Sequence, residues 1–220
     1  MTRPAVAEPQ GGLRERKKAM TREALIDSAL RLFDQHGFAA TTTEQIAASV
    51  GVSQRTFFRY FATKEEVVSA AHNAVDDDFF ARFLAKDPAI HPLEALRAAA
   101  VETWQSLDER ALRSQVLLSK LYDSTPQLLA CRLRNGAQYE SRIVAVITSR
   151  TGIDPVTDLR PRLVAAAFGA TMHAAVCYWM NCGTDGVHGA VRTIERHFDA
   201  LGPALTGPWH DRPGATAPPS

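Results

Sequence analysis

The chain has 220 residues, of which 45% are hydrophobic and 22% charged, and this composition is typical of a globular protein with one large or two modest cores. Residues 1–64 carry ten Lys and Arg against six Asp and Glu, a net charge of +4, whereas residues 65–220 carry fifteen against eighteen, a net charge of −3. The odd number of cysteines, Cys131, Cys177 and Cys182, with no Cys-x-x-Cys pair, argues against a disulfide framework or a zinc site, and we expect no metal and no cofactor.

The amino-terminal segment contains Pro and Gly, shows no apolar periodicity, and ends in four basic residues, Arg14, Arg16, Lys17 and Lys18. We expect residues 1–19 to form a disordered basic arm, which either contacts DNA or serves as a solubilising tail. No apolar run of about 7 to 15 residues follows the basic residues, so the segment is not a signal peptide, and we expect a cytoplasmic protein.

A first helix is predicted from about residue 21, because Leu25, Ala29 and Phe33 share one helical stripe that ends before Gly37. A second, short helix follows, since Thr42 and Gln45 have the spacing of a capping box. Gly51 comes directly after it and allows the positive φ that an abrupt reversal of the chain requires.

The next segment, QRTFFRYF, predicts a third helix with Ser53 as its N-cap. Phe57 and Phe61 lie four residues apart and would be buried together, which leaves hydrogen-bond donors and cations on the other sides. Arg suits guanine edges, Gln suits adenine, and Tyr and Lys suit phosphates. The alternative is a solvated polar face on a small helical hairpin. We take residues 20–66 as a helix-turn-helix domain that binds DNA through Thr43, Ser53, Gln54, Arg55, Thr56, Arg59, Tyr60 and Lys64.

The segments TREALIDSALRLFDQHGFAATT and GVSQRTFFRYFATKEEV closely resemble the amino-terminal domain of TetR/AcrR-type transcriptional regulators, over about residues 21–68. The family usually has Gly-Thr-Leu-Tyr where this chain has Arg-Thr-Phe-Phe, so Phe58 lacks a phenolic hydroxyl and Arg55 adds a guanidinium. The resemblance implies that Thr43, Thr56, Arg59, Tyr60 and Lys64 contact DNA.

The rest of the chain shows helical periodicity in segments bounded by Gly, Pro or Asp, such as ERALRSQVLLSKLYDS. We therefore expect an all-α protein, in which a larger helical ligand-binding and dimerisation domain spans residues 67–204 and a disordered tail spans residues 205–220. The segment KEEVVSAAHNAV joins the two domains. Residues 163–180 are almost uniformly apolar, but Thr171, His173 and many small residues favour a core helix over a membrane span.

The last helix carries an apolar stripe formed by Val191, Ile194, Phe198 and Leu201. In TetR-like proteins the last two helices commonly pair with their copies in a four-helix bundle, so the resemblance implies that this stripe is the interface of a homodimer. Two-fold pairing would place two recognition helices about 34–36 Å apart, which is one turn of duplex DNA.

The block from Tyr122 to Trp179 resembles the carboxy-terminal domain of the mycofactocin-system regulator type of TetR protein, a subgroup described as binding acyl-CoA-like ligands. An acyl chain needs an apolar tunnel, and a CoA head group needs cations. We take Trp104, Arg113, Leu117, Leu121, Tyr139, Ile143, Phe168 and Met172 as candidate ligand-binding residues. Lys120, Arg132, Arg134 and Arg142 are further candidates for the head group. The alternative is that these residues are core and solvated surface.

The sequence thus favours a repressor that binds a double-stranded DNA operator and is released by a small amphipathic effector, for example a long-chain acyl-CoA. The alternative is a helical DNA-binding or dimerisation protein without an effector. An enzyme is the third choice, since the chain lacks a phosphate-binding glycine loop, a His-Glu-x-x-His motif and a Gly-x-Ser-x-Gly motif.

Overall fold

The computed structural model describes residues 10–182 and 185–209, except for the side chains of Gln10, Gly11 and Arg134. Within these residues the chain forms helices and no strand, so the predicted all-α class is confirmed. The helices are α1 (Gln10–His36), α2 (Thr43–Ser49), α3 (Gln54–Tyr60), α4 (Lys64–Leu84), α5 (Pro92–Gln105), α6 (Glu109–Ser124), α7 (Pro126–Thr151), α8 (Arg160–Cys182) and α9 (Gly186–Thr206).

The first helix begins earlier than the sequence predicted. Residues 10–19, expected to belong to a disordered arm, form the first turns of α1. The segment LRERKKAM consists of residue types with high helix propensity, which a search for an apolar stripe does not detect. Residues 205 and 206 of the expected tail complete α9. Residues 207–209 of the expected tail follow α9 without helical structure, and residues 1–9 and 210–220 of the expected arm and tail lie outside the described residues.

The described residues divide into two compact units. Unit 1 contains residues up to Asp76 together with Arg113–Asn135, and unit 2 contains Asp77–Leu112 and the residues from Gly136 onward. The predicted boundary at residue 66 therefore differs from the structure. Helix α1 and the two short helices α2 and α3 bury too little apolar surface on their own, and parts of α4, α6 and α7 complete the core of unit 1.

In the core of unit 1, Leu25 and Phe33 of α1 pack with Ile46 of α2, Phe57 of α3 and residues of α4, α6 and α7. Leu121 belongs to this core and Leu117 packs against it. These two residues were predicted to line an effector tunnel together with residues of unit 2. Leu121 is buried in the core of unit 1, and its role in an effector site stays a prediction.

In unit 2, helices α5, α8 and α9 pack on one another. The buried residues of α8 recur every three or four positions and are Pro161, Ala165, Phe168, Thr171, Ala175 and Trp179. Only 28% of the most apolar stretch of α8 is buried within the described chain, so the predicted core helix is covered along one face. By length and composition this helix would also be able to cross a membrane, and its amphipathic burial is typical of a helix that packs on a soluble core.

The prediction that the apolar stripe of α9 forms the dimer interface is wrong, because this stripe is covered by its own chain. Ile194 is 1% exposed, Val191 7% and Phe198 8%, and Leu201 is half-buried, all within a single chain. The Phe198 ring stacks on Phe168 of α8 at a centroid distance of 5.7 Å. A side chain that its own protomer already covers has almost no surface left for a second subunit, so this stripe is part of the core of unit 2.

Candidate nucleic-acid interface

Local caps and backbone groups hold the start of α2, the turn between α2 and α3, and the start of α3. The Thr42 hydroxyl accepts from the Gln45 amide at 3.1 Å, and the Gln45 side chain accepts from the Thr42 amide at 2.9 Å, so the predicted capping box is present. Gly51 has a φ of 71°, as the reversal requires. Ser53 then caps α3 by accepting from the Thr56 amide at 3.1 Å. These contacts fix the direction in which α3 leaves the turn.

Helix α3 is anchored by its aromatic residues on one side. Phe57 and Phe61 are buried, with ring centroids 5.8 Å apart. At about 100° per residue, Arg55 and Arg59 lie on the side of the helix opposite Phe57. Both are exposed, and Gln54 and Phe58 lie beside them on the same surface. We call Gln54, Arg55, Phe58 and Arg59 the recognition face.

Gln54 also links the starts of the two short helices, since its Nε2 donates to the Thr43 hydroxyl at 2.9 Å. A primary amide has two N–H donors and one carbonyl, so this contact leaves Gln54 a donor and an acceptor for a base edge. The Ser53 and Thr56 hydroxyls lie 3.0 Å apart and bond to each other. Ser53, Thr56 and Thr43 therefore shape this surface in addition to any contact with DNA.

Tyr60 is half-buried and packs against the core of unit 1, and the Arg59 guanidinium carbon lies 5.3 Å from its ring centroid. This stacking orders an otherwise flexible arginine, because the cation is attracted to the face of the ring. Tyr60 thus positions Arg59 on the recognition face.

Lys64 does not have the environment that the sequence predicted. Its ammonium donates to the carbonyl oxygens of Phe38 at 2.6 Å and Thr41 at 3.1 Å, and reaches that of Ala39 at 3.5 Å. An ammonium has three N–H donors and no acceptor, and these carbonyls occupy all three. The assignment of Lys64 as a phosphate contact is therefore wrong for this structure. Lys64 instead ties the first turn of α4 to the loop between α1 and α2.

Two residues of this surface were not among the predicted contacts. The Phe58 side chain is 51% exposed, in T-shaped contact with Phe57, and an exposed ring of this kind is able to contact a thymine methyl group. The Arg22 guanidinium carbon lies 5.2 Å from the centroid of Phe61, the C-cap residue of α3. The four-residue spacing of Gln54 and Phe58 would have indicated that Phe58 lies on this surface, whereas no local pattern in the sequence indicates the contact of Arg22.

The candidate ligand-binding residues fall into two groups. Arg113, Leu117 and Leu121 belong to unit 1, and Trp104, Tyr139, Ile143, Phe168 and Met172 belong to unit 2. Within unit 2, Phe79 of α4 stacks on both Tyr139 and Phe168, at 5.7 Å and 5.4 Å between centroids. Trp104 meets Trp179 edge to face at 5.9 Å. The rings of each of these pairs are therefore in direct contact with one another.

Two of the candidate head-group cations, Arg142 and Arg132, contact other side chains of the protein. Arg142 donates to Asp77 at 3.0 Å and lies 3.9 Å from the centroid of Phe80. Arg132 lies over the ring of Tyr122 at 5.7 Å. Arg113 and Lys120 are exposed, and the Arg134 side chain lies outside the described residues.

The comparisons with known proteins agree with this geometry. Residues 25–71 match the family "Bacterial regulatory proteins, tetR family", and residues 90–206 match the family "MftR C-terminal domain". The chain is 36% identical over 213 residues to the HTH-type transcriptional regulator TcmR of Streptomyces glaucescens, which covers 94% of each chain. The chain belongs to the TetR family of transcriptional regulators.

A second relative is MftR of Mycobacterium tuberculosis, named as a mycofactocin biosynthesis transcriptional regulator. It is 27% identical over 198 residues, covering 86% of this chain and 93% of the relative. Among solved structures, SmeT in complex with triclosan has a TM-score of 0.59 at 23% identity, covering 82% of this chain and 91% of SmeT. NalD of Pseudomonas aeruginosa has a TM-score of 0.58 at 24% identity, covering 84% and 96%. At these identities the two structures establish the fold alone.

Membership in the TetR family confirms the predicted division into a helix-turn-helix domain and a helical carboxy-terminal domain. It also confirms that the protein is a transcriptional regulator rather than an enzyme. The exposed Arg and Gln side chains of the recognition face of α3 are of the types that hydrogen-bond to base edges.

Proposed function

We propose that this TetR-family protein is a repressor that binds a double-stranded operator through the recognition face of α3. The observation that carries the proposal is the placement of Arg55 and Arg59, exposed on the side of α3 opposite the buried Phe57. An arginine in the major groove can bind guanine O6 and N7 in bidentate fashion, and Gln54 can do the same at adenine. Helix α3 is short enough to enter the groove along most of its length.

We further propose that the protein acts as a cytoplasmic homodimer. The support is the second face of α8, where Leu163, Ala166, Ala170, Ala174 and Cys177 recur at helical spacing and are exposed or half-buried. Small residues allow two helices to approach closely, and exposing so apolar a stripe to water is unfavourable. Regulators of the family act as dimers, so a second copy of α8 is the natural occupant of this face.

We propose that the effector is a small amphipathic molecule, with a long-chain acyl-CoA as the first candidate. Three buried donors of unit 2, the Thr103 and Thr148 hydroxyls and the Trp179 indole N–H, have no hydrogen-bond partner among the described residues. Buried donors without a partner cost free energy that a ligand carbonyl would recover. The acyl-CoA candidate rests on the likeness of residues 90–206 to the MftR domain.

The close packing of Phe79, Tyr139 and Phe168 favours the alternative of a regulator with no effector. The unpartnered donors favour an effector, which would have to move these rings. Helix α4 contributes Val67 and Val68 to the core of unit 1 and Phe79 to the aromatic cluster of unit 2. A ligand that prefers displaced rings would therefore act on α4 and lower the population of the DNA-binding state.

The test of the proposed function is a fluorescence-anisotropy titration of the purified protein against the DNA upstream of its own coding sequence and against random duplex. We expect Arg55→Ala and Arg59→Ala each to cost about 1–3 kcal/mol of operator binding and to reduce the preference over random DNA. Arg110→Ala, on α6 in unit 2, is the matched control. Equal affinity of wild type and both variants for the two duplexes would refute base reading by α3.

A further inference from the structure

Helix α1 extends beyond the core of unit 1 at its amino-terminal end. All residues from Gly12 to Met20 are exposed, and burial begins only at Leu25. Between Gln10 and Arg22 the helix carries five basic residues and one acidic residue. Nothing in the core of unit 1 accounts for this charged extension.

Three of these cations form one row along α1. Arg14, Lys18 and Arg22 are spaced four residues apart, and the same side of the helix continues as Leu25 and Ala29, which are buried in unit 1. The row therefore continues the face with which α1 packs on its own domain. Arg22 at its inner end lies over Phe61, so the row starts at the carboxyl end of the recognition helix.

This arrangement costs stability in the free protein. The amino-terminal end of a helix carries partial positive charge, and the first turn of α1 contains no acidic residue to offset it. Like charges four residues apart also repel each other by a few tenths of a kcal/mol per pair. Glu15 approaches Lys18 only at 4.0 Å, with both side chains mostly exposed, which compensates little.

We propose that Arg14, Lys18 and Arg22 form a phosphate-binding row that holds the DNA backbone beside the bases read by α3. At a rise of about 1.5 Å per residue the row is about 12 Å long, and one DNA strand presents a phosphate about every 3.4 Å of helix axis. Each of its three cations can meet one phosphate, so the row accounts for up to three phosphate contacts. This proposal rests on the proposed function, because it takes α3 to be in the major groove.

A different partner would use a different side of α1. Leu13 and Met20 are exposed on the flank away from the row, and a basic helix with such residues could also lie on an anionic membrane surface. The contact between Arg22 and Phe61 favours DNA, because it places the row next to the helix that carries the recognition face.

The test compares Arg14→Gln, Lys18→Gln and the double variant with Arg16→Gln, which removes the same charge from the opposite side of α1. Glutamine preserves helix propensity, and circular dichroism checks the fold. We expect each row variant to weaken binding to every duplex at least threefold, with the operator-to-random ratio unchanged. The slope of log K against log salt should become shallower by about 0.9 per lost contact, or about 1.8 per dimer.

Row variants that bind DNA like Arg16→Gln, with an unchanged salt slope, would overturn the proposal. Co-sedimentation with vesicles of phosphatidylcholine and phosphatidylglycerol that is lost in Arg16→Gln and kept in the row variants, while the row variants bind DNA like wild type, would overturn it in favour of a membrane surface. Failure of the proposed function would give a different result from failure of the phosphate-binding row. Wild type would then bind operator and random duplex equally, and Arg55→Ala and Arg59→Ala would have no preference to reduce.

Discussion

The ammonium of Lys64 lies 2.6 Å from the carbonyl oxygen of Phe38 and 4.4 Å from the centroid of the same residue's ring. One cation thus satisfies a backbone acceptor and stacks on the aromatic side chain that follows Gly37. Since the loop from Gly37 to Thr42 sets where α2 begins, this contact connects the start of α4 to the helix-turn-helix unit.

Lys64→Met should therefore destabilise the fold more than it weakens phosphate contacts. Methionine keeps the apolar stem but leaves the loop carbonyls without their charged donor, which we expect to lower the free energy of unfolding by about 1–3 kcal/mol in urea titrations. The salt slope of operator binding should stay within about 0.3 of wild type, whereas loss of a phosphate contact would change it by about 0.9 per contact, or about 1.8 per dimer. Lys120→Met, an exposed lysine of unit 1, is the control. If Lys64→Met leaves the free energy of unfolding unchanged and makes the salt slope of operator binding shallower, Lys64 is a phosphate contact after all.

The elements that the sequence predicted well are those defined by local chemistry. The segment ERALRSQVLLSKLYDS was predicted as a helix and forms α6 over the same residues, Glu109–Ser124, between the breakers Asp108 and Pro126. The capping box at Thr42 and the N-cap at Ser53 were also correct, because each involves residues within three positions. Such contacts depend on spacing alone, and spacing is visible in a sequence.

The errors concern contacts between residues far apart in the chain. The stripe of Val191, Ile194 and Phe198 correctly indicated a buried face, but periodicity does not say whether the covering surface belongs to the same chain or to a partner. Lys64 is 26 residues from Phe38, and Leu121 joins a core formed mainly by residues 25–70. Neither partner follows from local spacing.

The exposed face of α8 predicts where a second subunit binds. Ala170→Glu should shift the protein from dimer to monomer by at least 100-fold in dissociation constant, because association would bury an unpaired carboxylate. Sedimentation equilibrium measures this directly, with Ala137→Glu on the exposed side of α7 as the control. Ile194→Val should instead lower stability by about 0.5–1.5 kcal/mol without changing the oligomeric state. If Ala170→Glu remains a dimer, the exposed face of α8 is not the dimer interface.

Tyr122 predicts an alkaline limit to the stability of unit 1. Burial is the main cause that raises the pKa of its phenol to about 12, the nearby Cys131 thiol raises the pKa further, and Arg132 opposes both. Because the folded pKa lies above the unfolded value of 10.0, the folded state holds the proton more tightly. The contribution of Tyr122 is therefore complete below about pH 10 and is lost as the pH rises toward 12.

Urea titrations across this range should show wild type losing about 1–3 kcal/mol of unfolding free energy relative to Tyr122→Phe, which has no proton to release. Lysines titrate in both proteins, so the difference between them isolates the phenol. Parallel stability curves for the two proteins between about pH 9 and 12 would mean that Tyr122 ionises as freely in the folded chain as in the unfolded one.

The unpartnered hydroxyl of Thr103 gives the sharpest test of an effector site in unit 2. Thr103→Val keeps the shape of the side chain and removes a buried donor that has no acceptor, so we expect the free energy of unfolding to rise by about 1 kcal/mol. Thr171→Val is the matched control, because the buried Thr171 hydroxyl donates to the Ala167 carbonyl at 2.7 Å and its loss should be neutral or destabilising.

The Thr103→Val variant also tests operator release by a ligand. If a ligand carbonyl accepts from Thr103, long-chain acyl-CoA should release Thr103→Val from the operator only at a concentration about fivefold or more above that needed for wild type. DNA affinity without ligand should be the same for both, since Thr103 is far in sequence from α3 and belongs to unit 2. If Thr103→Val is less stable than Thr171→Val, the Thr103 hydroxyl already has a hydrogen-bond partner. If wild type stays on the operator at a saturating concentration of acyl-CoA, acyl-CoA is not the effector.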